Sequence, residues 1–233
     1  MAGFLRLLIA VALWPCCWAL SRALWDGGLY ALGASRGGYE GLSFWGGALV
    51  FVVSWYIFPR PVKTYVLGHE LTHALWGLLF GARPSRLRVG ASGGSVNLTK
   101  TNVLITLAPY FFPFYTFCVL LIYFITSLFV RPVPYPAVWF FAVGWTWAFH
   151  ILFTFDALGR RQSDVQSYGR LFSWTFITGL NLIFILIWLA VTTSLTFAQL
   201  GAILKERMAS AYTGVYAAGL CGWHKIGALC SQI

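Results

Sequence analysis

The sequence predicts an all-α polytopic membrane protein of about six transmembrane helices, with a short membrane-associated β-hairpin after the third helix. Two observations carry this. Of 233 residues, 59% are hydrophobic and only 9% are charged, whereas a soluble domain carries about a quarter charged residues. The apolar residues are also grouped into runs long enough to span a bilayer, separated by short connections rich in Gly, Pro and Arg. Residues 1–200 therefore read as a single integral membrane domain, and 201–233 as a C-terminal tail, interfacial or loosely ordered. A net charge of +10 would suggest nucleic acid in a soluble protein. Here the basic residues lie in the connections, where they meet lipid head groups. The expected partner is thus a lipid bilayer and not nucleic acid. None of the five cysteines has a Cys-x-x-Cys spacing, and the oligomeric state is left open.

Taken in order, residues 4–20 form the first apolar run. Bulky Trp14, Trp18 and Trp25 replace the small residues of a cleavage site, so this reads as a retained helix. Residues 21–41 are Gly-rich and read as a loop. Residues 42–58 give the second helix, stopped by Pro59-Arg60-Pro61, and residues 63–81 the third, closed by Gly81 and Pro84. Residues 83–101 are unlike the rest. Two short runs flank a Gly-Ser turn, a hairpin signal that must pack on protein or line a wet cavity. Residues 102–130 form a long helical run with Pro109 and Pro113 in its first half. Those prolines free backbone carbonyls and predict a broken helix. After Pro132, Pro134 and Pro136, residues 137–158 make the fifth helix. A polar junction, Gly159 to Asp164, leads into the sixth, within 165–199.

The third helix carries the chemistry. It contains His69-Glu70-x-x-His73, with no charge other than Glu70 between Thr64 and Gly81. Imidazoles at i and i+4 share one helix face. That spacing lets both bind one Zn²⁺, with the glutamate as general base on a metal-bound water. The bland alternative buries two histidines and an acid in an apolar helix without purpose, at several kcal/mol each unless paired. A catalytic zinc needs a third protein ligand. The candidates are Asp164, Asp156 and His150. Asp164 is preferred, because it lies in the polar cluster Gln162 to Gly169. Asp156 sits at a helix end beside Arg160 and Arg161, as an ion-paired acid would. Asp156 and His150 are placed as residues supporting the ligands from behind. Alternation of the helices separates Asp164 from the histidines by roughly 15 Å in depth, so the junction is expected to dip into the protein.

Gly68-His69-Glu70-Leu71-Thr72-His73-Ala74, the Gly-rich segment 89–99, Leu107-Ala108-Pro109-Tyr110 and a later Asp together resemble the site-2 protease class of intramembrane zinc metalloproteases. The resemblance covers residues 63 to about 185, the expected catalytic core. It is to a compact, divergent member: there is no PDZ-like insertion, and Asp164 is followed by Val165 where the family has Asp-Gly. It implies Zn²⁺ on His69, His73 and Asp164, and Glu70 as catalytic base. It also implies that a membrane protein or peptide substrate is held in extended form along Gly93, Gly94, Ser95, Val96 and Asn97. Two other functions compete: a zinc-binding membrane scaffold without protease activity, against which the intact Glu70 argues, and an ion transporter, which would show paired broken helices in two halves.

Overall fold

A computed structural model describes residues 2–33, 39–91 and 93–230. Among them the order is α1 (Ala2–Gly33), α2 (Tyr39–Ile57), α3 (Val62–Leu79), β1 (Pro84–Val89), β2 (Gly94–Leu98) and α4 (Val103–Phe111). There follow α5 (Phe114–Phe129), α6 (Pro136–Gly159), α7 (Ser163–Tyr168), α8 (Arg170–Thr192) and α9 (Phe197–Cys230). The architecture is helical with one antiparallel hairpin. Among the described residues, four helices are long and apolar enough to cross a membrane: α1, α2, α6 and α8. A fifth span arises if α4 and α5, bent by 78° at their break, count as one. Helix α3 is not among them, because Lys63 and the polar motif itself lower its hydropathy. That accounts for a count below six.

The contacts divide the chain into two units, Met1–Arg36 with Trp174–Ile233, and Gly37–Ser173. In the first, Leu20, Ala23, Leu186, Leu195 and Leu200 form a buried core. The Asp26 carboxylate accepts a hydrogen bond from Arg207 Nε at 2.5 Å, and the Tyr212 hydroxyl donates to the Ala12 carbonyl at 3.0 Å. Two stretches differ from the sequence reading. Residues 21–33 are not a loop but the continuation of α1. A Cβ at Gly27 would lie 3.2 Å from Leu189 and Leu195 side chains, so this glycine serves a close approach and not a turn. The tail forms α9 as far as Cys230. Leu200, Ile203, Leu204 and Met208 recur at helical spacing and pack on the core. Residues 34–38, Ser92 and 231–233 of the predicted loop, hairpin and tail lie outside the described residues.

In the second unit α2 and α6 cross at two glycines. A Cβ on Gly47 would strike the Phe141 carbonyl, and one on Gly144 the Phe44 carbonyl, as in membrane helix pairs that meet through small residues. Phe51, Phe149 and Phe153 extend this seam, with Trp55, Tyr65 and Tyr115 packed around them. The hairpin rests on α3. Its register pairs Arg88 with Ser95 and Ser85 with Asn97, with an irregularity between. Two residues, Arg86 and Leu87, therefore oppose Val96. This is a β-bulge, and Arg86 takes the left-handed conformation (φ 50°) that such a bulge uses.

Candidate metal centre

Helix α3 sets the centre. His69 and His73, one turn apart, bring their Nε2 atoms within 3.2 Å. Gly68 just before them leaves room for α5, since a Cβ there would lie 2.7 Å from the Tyr115 ring. The Tyr115 hydroxyl in turn donates to the Thr64 carbonyl at 2.6 Å.

The third member of the group, Asp164, arrives on α7. Asp164 Oδ2 lies 3.3 Å from His69 Nε2 and 3.4 Å from His73 Nε2. The junction thus does reach the histidines. Asp164 is also tied to α4, where the Tyr110 hydroxyl donates to the same Oδ2 at 3.1 Å. Burial opposes ionisation of Asp164, but its contacts with His69 and His73 outweigh this and hold the carboxyl well below its usual range. The ionised form is the one a cation requires.

The break in the fourth helical run has a specific consequence. Pro109 lies within α4 and has no N–H to offer the carbonyl four residues back, that of Ile105. That carbonyl accepts instead from His73 Nδ1 at 2.9 Å. A carbonyl can only accept, so His73 carries its proton on Nδ1, and the neutral ring presents a bare Nε2 to the centre. The Tyr65 hydroxyl, one turn before His69, lies 3.4 Å from His69 Nδ1 and backs that ring. Asn102 closes the start of the same helix. Its Oδ1 caps α4 by accepting from the Ile105 amide at 2.9 Å.

These atoms suit a metal ion. Four donors about 2.0–2.1 Å from a tetrahedral centre are about 3.3 Å apart. The three edges here are 3.2, 3.3 and 3.4 Å, one face of such a tetrahedron. Asp164 Oδ2 can only accept, so a positive charge shared with the two Nε2 atoms, carried by a proton or a metal cation, accounts for their closeness. Among the described residues, this is the group of His, Cys, Asp and Glu whose ligand atoms gather in this way.

Glu70 is buried on α3 and lines, with His69, His73 and Asp164, a cavity of about 420 Å³. The hairpin approaches closely here: a Cβ on Gly94 would lie 2.6 Å from Val66 and 2.8 Å from Glu70 Cγ. Gly93, Gly94, Ser95 and Val96 line the cavity wall. Asn97 is exposed and is not part of that wall. Asp156 also lines the cavity but is paired with Arg60 at 3.0 Å and Arg160 at 2.8 Å. It is no member of the ligand group. His150 is buried on α6 beside a second cavity of about 20 Å³ that touches His69 and Thr72. The groups bonded to the ligands are Tyr65, Tyr110 and the Ile105 carbonyl, rather than Asp156. Of these only Tyr65 had a local signal, its i−4 spacing from His69.

Comparison with protein-family models, curated proteins and solved structures gives no match for this chain.

Proposed function

We propose that the chain is a zinc metallopeptidase of the site-2 protease kind, hydrolysing peptide bonds of membrane-associated substrates. The observation that carries this reading is the triangle of His69, His73 and Asp164 with Glu70 in the same polar cavity. Zinc held there would act as a Lewis acid, polarising a carbonyl and lowering the pKa of water towards about 7. The chain's own residues supply the rest. His69 and His73 present Nε2 because Tyr65 and the Ile105 carbonyl take up their other nitrogens. The Glu70 carboxylate accepts the proton of the attacking water and delivers it to the departing amide nitrogen. Gly93 to Val96 offer main chain along which an extended substrate stretch can pair. Long apolar helices fit a multi-pass membrane protein, so the chemistry would take place in a water-containing cavity within or beside the bilayer.

The test compares Glu70→Gln with the native chain. Gln keeps the size and loses the base. The variant should retain its zinc and lose at least about 100-fold in peptide cleavage, the scale of one general base. Cleavage that survives the substitution would remove Glu70 from this role.

A further inference from the structure

The far end of the same cavity carries a group that the hydrolytic machinery does not use. Arg60 ends the α2–α3 connection, while Asp156 and Arg160 lie one turn apart at the end of α6, and all three line the cavity. Arg60 is held from two sides. Its guanidinium stacks over the Trp55 ring at 4.4 Å, and its NH1 donates to Asp156 Oδ1 at 3.0 Å. Arg160 NH2 donates to the same Oδ1 at 3.1 Å and lies 2.8 Å from Oδ2. One carboxylate thus fixes two guanidinium groups, and the cluster keeps a net charge of +1. Each guanidinium has five N–H donors in a rigid fork. Asp156 uses only part of them, and no further partner is found among the described residues. A guanidinium oriented by an aromatic face and one carboxylate, with donors to spare on a cavity wall, is a receptor for a second planar anion.

We infer that Arg60 and Arg160 bind a carboxylate of the substrate chain, either an acidic side chain or a free C-terminus, at a fixed distance from the bond that is cut. This rests on the peptidase reading above. The distance follows from the helix. Val62, the first residue of α3, precedes His69 by seven residues, about 10 Å at 1.5 Å per residue, and Arg60 lies two residues further out in the connection. An extended chain advances about 3.3 Å per residue, so the carboxylate belongs three to five residues from the metal-directed group.

Peptide hydroxamates test this, because the hydroxamate anchors on zinc and sets the origin. The probes are fluorescein-labelled peptides with one Asp, or Asn in its place, one to seven residues from the hydroxamate. A further pair carries a free or an amidated C-terminus at those spacings. Binding is read by fluorescence anisotropy on the detergent-solubilised full chain, loaded with zinc or stripped of it. Affinity should peak at a spacing of three to five residues, with Asp or the free terminus about fivefold tighter than its neutral counterpart. Arg160→Gln, at an exposed side chain, should flatten the peak without changing binding of the Asn series. Arg160→Glu should reverse the preference in favour of a Lys-containing probe. The two carboxylate sources are separated by which pair shows the peak. Equal affinity for Asp and Asn at every spacing, or a peak that Arg160→Gln leaves intact, overturns the receptor. Loss of zinc dependence in the Asn series is a different result and counts against the metal centre. A preference for Asp in stripped protein would still uphold the receptor in that event, and its absence there would overturn it.

Discussion

Asp164 and Asp156 are eight residues apart and border the same cavity, yet the chain gives them opposite partners. Asp156 faces two guanidinium groups and Asp164 faces two imidazoles and a phenol. In sequence the choice between them rested on the polar neighbours of Asp164. The arginine beside Asp156 was the other visible signal, and it told correctly of an ion pair. The His-Glu-x-x-His group was legible because its geometry is local: one helical turn fixes both rings. Tyr110 was not, since its value depends on a contact 54 positions along the chain. Tyr110→Phe removes only the hydroxyl that holds Asp164 Oδ2. Competition with a chelator should then show zinc affinity reduced about 10–100-fold, the usual cost of losing such a support. An unchanged affinity would mean that α7 alone positions the aspartate.

Among the elements, α4 shows how a helix-breaking residue becomes part of a site. The two prolines of residues 102–130 announced a break, but not what the break was for. Pro109 leaves the Ile105 carbonyl without its helical donor, and His73 takes it. Pro109→Ala restores an N–H that competes for that carbonyl. Zinc affinity should fall about fivefold, the equivalent of one ordinary hydrogen bond, while the helix content seen by circular dichroism stays the same or rises. No change in affinity would show that His73 is held by other contacts. The misreading of residues 21–33 has the opposite cause. Glycine there reads as a turn former, although Gly27 lies in α1 against Leu189 and Leu195. Sequence pattern does not separate a glycine that bends the chain from one that admits a neighbour. In the tail the apolar spacing of Leu200, Ile203 and Leu204 was present, but Lys205, Glu206 and Arg207 obscured it. Arg207 proves to be the partner of Asp26 across 181 positions.

For the whole molecule, composition alone points to the membrane class, since 9% charged residues are few for a water-facing surface of this size, and the long apolar helices are compatible with it. The number of spans was less legible. Helix α3 reads as apolar in sequence but carries Lys63 and the site's own polar residues, and it falls outside the helices apolar enough to cross. The chain should remain in the membrane pellet after alkaline carbonate extraction and enter solution only with detergent. Release by carbonate would contradict a multi-pass arrangement. The expectation holds irrespective of the site, because α1, α2, α6 and α8 contribute none of its three candidate metal ligands.

The central claim, a metal held by His69, His73 and Asp164, is tested most directly by the zinc content of purified protein, measured per chain by mass spectrometry of the metal. The native chain should hold about one zinc. His73→Ala and Asp164→Asn should hold close to none under the same buffer, while Asp156→Asn should match the native chain. Zinc absent from the native protein, or retained in Asp164→Asn and lost in Asp156→Asn, would contradict the account.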